Sequence, residues 1–146
     1  MHLALTGLFR ARWTDQIHAE WIGSVLKNRP DLTREKLERT RSLMNAHVLD
    51  CLVTGHEDLI EGLTLPDPDD RHVLAAAIRS SASVIVTFNL DDFPPKYLDE
   101  LGIEARHPDE FIARLIKLAP REASSHITCC SPWNRPRGES TLPVVP

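Results

Sequence analysis

The sequence predicts an α/β domain with a mainly parallel sheet. Segments whose apolar residues recur at helical spacing alternate with short runs rich in β-branched residues. Such an alternation, with brief connections, is typical of folds in which helices cover a parallel sheet. At 146 residues the chain is long enough for one domain with a hydrophobic core, and too short for two comfortable ones.

The first third of the chain is predicted to be helical. Residues 4–11 are interpreted as a short helix or the end of a longer one. Thr14 is the predicted N-cap of the next helix, which stops at the NRP sequence of residues 28–30. Thr33 is the predicted cap of a further helix, whose inner face carries three apolar side chains: Leu37, Leu43 and Met44.

The following segments alternate helices with strands. CLVTG at residues 51–55 is a short strand candidate, and a proline-containing loop then leads into an alanine-rich helix over residues 69–80. The β-branched content of ASVIVTF predicts a buried strand at residues 82–88. The remaining predicted elements are a short helix, a short strand and a final helix, at residues 94–102, 103–106 and 107–118.

Composition restricts the class of partner and the compartment. A formal charge of −4 disfavours a generally basic nucleic-acid binder, although it allows a local basic patch. No run approaches the ~18 apolar residues of a membrane span, the N-terminus lacks a signal-peptide pattern, and the three cysteines show no metal-ligand spacing. We therefore expect a cytoplasmic protein without membrane contact.

Residues 119–146 are proline-rich and aperiodic, which predicts a disordered tail.

Aspartates stand at both ends of the predicted helix–strand unit within residues 65–94. A helix of about twelve residues is about 18 Å long, and a six-residue strand at about 3.3 Å per residue covers a similar distance. A strand that follows such a helix after a brief turn packs antiparallel to it, so the helix start and the strand end meet at one edge. That edge is where open α/β sheets bind ligands. The residues concerned are Asp67, Asp69, Asp70, Asp91 and Asp92.

Crowded carboxylates repel one another, and a divalent cation relieves that repulsion. Because oxygen ligands select hard ions, this edge is a candidate site for Mg²⁺ or Mn²⁺. An aspartate such as Asp67 or Asp69 before a helix is also typical of an N-cap, and NLDDFP could be a turn with solvated acids. Spacing alone leaves the metal site and the caps as open alternatives.

Three motifs resemble the PIN-domain nucleases, the fold of the VapC-type toxins of toxin–antitoxin systems. DDRHVLAAAI followed by ASVIVTFNLDDFP is similar to the second half of that domain, WTDQIHAEWI to its early helix, and HPDEFI to its closing helix. The resemblance covers roughly residues 3–118 and implies a PIN-like three-layer domain at residues 1–118 with a mainly parallel central sheet. It also implies RNA hydrolysis dependent on Mg²⁺ or Mn²⁺, a cognate antitoxin and, commonly in the family, a homodimer.

The resemblance assigns the first acids of the site. Glu20 matches the acid of the family's early helix. Asp70 matches the acid three residues before the first core aliphatic residue of the next helix, Val73, and Asp69 is the fallback for that position. Helical periodicity places Glu20 about 60° from Ile17, at the rim of the apolar stripe, and does not by itself distinguish a ligand from an exposed glutamate.

The later acid departs from the family's pattern. It usually follows Thr or Ser by two residues, whereas here Thr87 is followed at that spacing by Asn89. The resemblance then implies that Asp92 supplies the charge, with Asp91 as the weaker candidate. Thr87 and Asn89 would position water or phosphate, and Asn89 could also act as an oxygen ligand.

PIN domains begin with an apolar strand that ends in an aspartate, and no such segment precedes Leu3. The first, central strand is therefore expected to be missing, either because the start is placed late or because the protein is a truncated relative. The alternative to a ribonuclease is consequently a catalytically inactive PIN-like module that binds an antitoxin or a second copy.

Two further features leave alternatives open. In residues 27–41, six basic residues against three acidic ones leave an excess of three positive charges, which could contact an RNA backbone or form a solvated helix face with i,i+4 pairs. His72 stands close to the predicted acids in the sequence. It could be a metal ligand or a proton carrier, or a histidine without such a role that is hydrogen-bonded in the core or exposed.

Overall fold

The computed structural model describes residues 9–118, which form a mixed α/β fold. In chain order, the helices and strands are α1 (Asp15–Asn28), α2 (Arg34–His47), α3 (Glu57–Ile60), α4 (Arg71–Arg79), β1 (Val84–Val86), α5 (Pro95–Leu98), β2 (Glu104–Arg106) and α6 (Pro108–Leu118). Single 3₁₀ turns lie at Pro68–Asp70, Leu90–Asp92 and Asp99–Leu101. Most of the predicted helix at residues 4–11 and the whole predicted tail at 119–146 lie outside the described residues. No helix in the described range is long and apolar enough to cross a bilayer.

The two strands pair in parallel, which confirms the predicted α/β class and is consistent with a PIN-like fold. Ile85 lies opposite Ala105, and the Thr87 amide prolongs the ladder by donating to the Arg106 carbonyl at 3.0 Å. The buried strand predicted at residues 82–88 forms over Val84–Val86, and only one of its sides is buried: Ile85 is 6% exposed, whereas Val86 is 41% exposed. Within residues 9–118 the sheet has only these two strands, so β1 has no second neighbour to cover it.

A left-handed residue turns the chain from α4 into β1. Ser81 has a φ of 53°, and its amide donates to the Ile78 carbonyl at 3.1 Å. The next amide, of Ala82, donates to the Ala77 carbonyl at 2.9 Å. These two bonds are the Schellman closure of a helix end. They reverse the chain within a few residues, so that α4 and β1 pack together as the predicted unit requires.

The main hydrophobic core lies between α4 and the sheet. Leu74 of α4 and Leu98 of α5 are each 1% exposed, and burial of a leucine side chain contributes about 2 kcal/mol. The three consecutive alanines of α4 are also buried, and their small side chains let the helix approach its neighbours closely. The buried members of this core are Leu65, Leu74, Ala77, Ile85, Phe93, Leu98 and Ile103.

Helices α1 and α2 begin at the predicted threonine caps. Thr14 Oγ1 accepts a hydrogen bond from the Ile17 amide at 3.0 Å, and Thr33 Oγ1 accepts one from the Lys36 amide at 3.4 Å. Leu37 of α2 packs in a second cluster with α1. The prediction that Leu43 faces inward was wrong, since it is 49% exposed. At 100° per residue it lies about 120° around the helix from Leu37 and misses the α1 contact.

The predicted strand at residues 51–55 is reduced to a single parallel bridge between Trp13 and Leu52. The Trp13 amide donates to the Cys51 carbonyl at 2.9 Å, and the Val53 amide donates to the Trp13 carbonyl at 2.8 Å. The pairing cannot extend because the next residue, Thr14, is already the cap of α1.

A buried polar network holds this bridge to both long helices. Asn45 Oδ1 accepts hydrogen bonds from Trp13 Nε1 at 2.7 Å and from His18 Nε2 at 3.1 Å. Trp21 Nε1 donates to His18 Nδ1 at 2.9 Å, which requires His18 to be the neutral tautomer with its proton on Nε2. Burial lowers the pKa of His18, in agreement with that neutral state.

Candidate metal centre

Two short turns bring acids to one end of the α4–β1 unit. Pro68–Asp70 leads into α4, and Leu90–Asp92 follows β1. Asp67 caps the first turn, because its Oδ1 accepts a hydrogen bond from the Asp69 amide at 2.9 Å. Asp70 is the N-cap residue of α4, but its side chain makes no capping hydrogen bond. Its carboxyl group is therefore available for a partner outside the helix.

Asp67, Asp70 and Asp92 form what we call the acidic cluster. One carboxylate oxygen from each residue lies within 4.8 Å of the other two. Asp67 is exposed, whereas Asp70 and Asp92 are half-buried. The acids before α4 and after β1, which are remote in sequence, therefore lie together in space.

The environment raises the pKa of Asp70 from 3.8 to about 7. Burial is the largest cause, followed by a hydrogen bond with Asp92 and by the negative charges of Asp92 and Asp67, while His72 acts in the opposite direction. The hydrogen bond between the two carboxyl groups requires a proton, since two ionised carboxylates have no donor. Without a cation, the cluster therefore keeps less than its full negative charge near neutral pH.

Polar residues after β1 hold Asp92 in place. Asn89 Nδ2 donates to Asp92 Oδ2, and the Asn89 amide donates to Thr87 Oγ1 at 3.1 Å. Thr87 is only 4% exposed. Because Thr87 is bonded to the sheet ladder, these contacts form a continuous connection from the sheet to the acidic cluster.

The donor set of the acidic cluster fits a hard divalent cation. Carboxylate oxygens are preferred ligands of Mg²⁺ and Mn²⁺. Two oxygens on one Mg²⁺ lie at most about 4.2 Å apart. The carboxylate oxygens of the cluster all lie within 4.8 Å of one another, so small side-chain shifts or a bridging water are enough for them to share one ion. A cation would also take the place of the proton between Asp70 and Asp92.

Glu20, predicted to join the metal ligands, lies outside the acidic cluster and against His72. Its Oε1 is 2.9 Å from His72 Nε2 and also accepts a hydrogen bond from Gln16 Nε2 at 3.2 Å. This close contact does not have the geometry of a hydrogen bond. Among residues 9–118, neither ring nitrogen of His72 has an aligned partner, although the residue is 2% exposed.

The other predicted acids also stand apart from the cluster. Asp69 and Asp91 are both exposed, and neither contributes an oxygen to it. Asp67 was recognised as an acid of this edge but was not assigned a ligand role. Its signal was the DPDD sequence, in which a capping aspartate precedes the two helical ones.

The basic segment at residues 27–41 has most of its contacts within itself or with α1. Arg29 pairs with Asp31 at 2.8 Å, and Arg41 pairs with Asp15 at 2.6 Å and with Glu38 at 3.1 Å. These exposed pairs favour the interpretation as a solvated helix face, and each contributes little to stability.

The chain is similar to one curated bacterial protein over part of its length. It is 50% identical over 58 residues to a Mycobacterium tuberculosis protein named "Putative ribonuclease VapC50". The match covers 40% of this chain and 34% of that protein, so the aligned part spans about a third of the relative's length. No family model matches the chain, and no solved structure matches it. The comparison supports a VapC-like, PIN-type fold over the aligned stretch.

Proposed function

We propose that this chain is a metal-dependent endoribonuclease of the VapC toxin type, which hydrolyses RNA phosphodiesters. The observation that carries the proposal is the convergence of three carboxylates at the end of the α4–β1 unit. The identity to a protein named as a ribonuclease supports the choice of RNA as the substrate.

In this proposal Asp70, Asp92 and Asp67 hold Mg²⁺ or Mn²⁺. The half-buried Asp70 and Asp92 would be two of its ligands, and the exposed Asp67 would be the third. Glu20 is the additional acid of the site. Asp69, the fallback for Asp70 in the sequence, is exposed and is not one of the three acids of the cluster, so the proposal gives it no ligand role. When bound, such an ion activates water and polarises a phosphoryl oxygen.

The polar residues after β1 orient the site. Asn89 donates to Asp92 Oδ2 and so restrains the orientation of that carboxylate. Thr87 accepts from the Asn89 amide and fixes the loop that carries both residues. The side chain of Asn89 would position water or a phosphate oxygen beside the ligands.

The partners follow from the VapC resemblance. The proposal includes a cognate antitoxin, a homodimer and a cytoplasmic location. It treats residues 1–118 as the PIN-like domain.

The test is cleavage of single-stranded RNA by the purified full chain. With Mn²⁺ or Mg²⁺ present we expect cleavage that stops when EDTA is added. Asp70→Asn should lower the rate about 100-fold or more, because loss of a ligand removes several kcal/mol of charge stabilisation. Asp69→Asn is the matched control and should cleave like the unmodified chain, since Asp69 lies outside the acidic cluster.

Cleavage that persists in EDTA, or that survives Asp70→Asn, would reject the metal mechanism. A well-folded sample that cleaves no RNA under any of these conditions would favour the non-catalytic PIN-like module.

A further inference from the structure

His72 is a buried polar residue that the proposed chemistry does not use. It lies in the first turn of α4 and is 2% exposed. Both ring nitrogens lack an aligned hydrogen-bond partner among residues 9–118. Leaving a buried polar atom unpaired costs about 1–3 kcal/mol, so a residue of this kind calls for a physical reason.

The polar group nearest to His72 comes from a different helix. Glu20 belongs to α1, and its Oε1 approaches His72 Nε2 to 2.9 Å. The glutamate side chain is 42% exposed, whereas the histidine side chain is 3% exposed. A half-exposed glutamate samples many rotamers, and fixing them costs about 1–2 kcal/mol. The buried, immobile imidazole is the group able to restrict those rotamers.

His72 also lies close to the acidic cluster. It stands two residues after Asp70, the N-cap residue of α4, in the first turn of the same helix. The contact between His72 and Glu20 therefore brings an acid of α1 to the turn of α4 that begins at Asp70. This is the relation expected of a residue that orients a ligand without binding the ion itself.

We propose that His72 is a positioning residue, which holds the Glu20 carboxylate of α1 toward the acidic cluster of Asp67, Asp70 and Asp92. The inference rests on the proposed function, since it assumes that a divalent cation binds the cluster. In this inference the contact between Glu20 of α1 and His72 of α4 adds a fourth carboxylate to the three that would bind the cation.

The test is the Mn²⁺ dissociation constant of the full chain, followed by the electron paramagnetic resonance signal of free Mn²⁺. His72→Asn withdraws the nitrogen from Glu20, and His72→Gln keeps an N–H donor near the Nε2 position. We expect His72→Asn to weaken Mn²⁺ binding about tenfold or more, while His72→Gln retains most of the affinity. His47→Asn is the control, because His47 is exposed on α2 and its Nδ1 contacts the Leu43 carbonyl of its own helix.

Glu20→Gln tests the same contact from its exposed end. We expect it to weaken Mn²⁺ binding by at least the factor seen for His72→Asn, and the double variant to bind no more weakly than Glu20→Gln alone. A merely structural role for His72 would instead lower the unfolding free energy in EDTA for both His72 variants and leave the dissociation constant of the folded protein unchanged.

Two results would overturn the inference while leaving the proposed function intact. One is unchanged Mn²⁺ affinity in His72→Asn or, should that variant not fold, in Glu20→Gln. The other is that His72→Asn lowers the Mn²⁺ affinity by the same factor in the unmodified chain and in the Glu20→Gln variant. That result would show that His72 acts independently of Glu20. If the unmodified chain binds no Mn²⁺, the proposed function fails and this inference fails with it.

Discussion

At the scale of single residues, Asp70 makes the stability of the metal-free protein depend on pH. Its pKa is about 7 in the folded protein and near the ordinary value of 3.8 in the unfolded chain. Between pH 3.8 and pH 7 the folded state therefore binds more protons than the unfolded state. Stability therefore decreases as the pH rises from about 4 to about 7, and the loss is complete above the folded pKa.

Asp70→Asn should remove this dependence. We expect the free energy of unfolding of the unmodified chain, measured in urea with EDTA present, to fall between pH 5 and pH 8 by on the order of 1–2 kcal/mol more than that of Asp70→Asn. The difference is smaller than the full pKa shift would give, because solvent screens a half-exposed group. Asp69→Asn should follow the unmodified chain. Identical pH profiles for the unmodified chain and Asp70→Asn would show that the Asp70 carboxyl is not destabilised by its neighbours.

The residues of the site differ in how far the sequence could predict them. The meeting of Asp70 and Asp92 follows from the lengths of one helix and one strand joined by a short turn, and all of these are local properties. The contact between Glu20 and His72 joins two helices remote in sequence, and no periodicity of either helix encodes it. Asp67 has the pattern of an ordinary cap, and it does cap a turn, so only the fold reveals that its carboxylate also faces the cluster.

At the scale of elements, the turn between α4 and β1 carries backbone strain. Ser81 is left-handed with a φ of 53°, a conformation that costs a residue with a side chain roughly 1 kcal/mol. Ser81→Gly should therefore raise the free energy of unfolding by about 0.5 kcal/mol, after the greater freedom of glycine in the unfolded chain is subtracted. Ser83→Gly, at a residue outside the left-handed region, should instead destabilise by about 0.5–1 kcal/mol. A destabilised Ser81→Gly variant in urea unfolding would contradict this account of the turn.

One side-chain oxygen, Asn45 Oδ1 of α2, accepts hydrogen bonds both from α1 and from the residue before its cap. Asn45→Ala would remove the oxygen that receives Trp13 Nε1 and His18 Nε2, and each donor left unpaired costs about 1–3 kcal/mol. We expect a loss of about 2–4 kcal/mol in urea unfolding. Asn28→Ala, at an exposed position in the last turn of α1, should stay within about 0.5 kcal/mol of the unmodified chain. An Asn45→Ala variant as stable as Asn28→Ala would show that water replaces the acceptor without cost.

Elements with local signals were predicted more accurately than those that need a distant partner. Thr14 and Thr33 cap their helices because the side-chain oxygen and the amide it accepts from are three residues apart. The strand predicted at residues 51–55 has suitable residues, but its partner in the described range is the single residue Trp13. The length of a strand depends on the length of the segment it pairs with, and the strand's own sequence carries no information about that segment.

At the scale of the whole molecule, the described residues form three apolar clusters connected by polar contacts. The main core packs α4 against the sheet, a second cluster packs α1 against α2, and a third surrounds Trp13 and Cys51. The close approach of Glu20 to His72 connects the α1–α2 pair to the part of the fold that carries the acidic cluster. The α/β class and its parallel pairing could be predicted from the alternation of elements, whereas the division into three clusters depends on side-chain contacts that no pattern specifies.

The central claim is that the acids at the two ends of the α4–β1 unit bind one divalent cation together. The most direct measurement is a Mn²⁺ titration of the full chain beside Asp92→Asn and Asp91→Asn, since these adjacent residues differ in belonging to the acidic cluster. We expect the unmodified chain and Asp91→Asn to bind Mn²⁺ with the same affinity, and Asp92→Asn to bind at least about tenfold more weakly, a loss of about 1.4 kcal/mol or more. Equal affinities for Asp92→Asn and Asp91→Asn, or no binding by the unmodified chain, would contradict the claim.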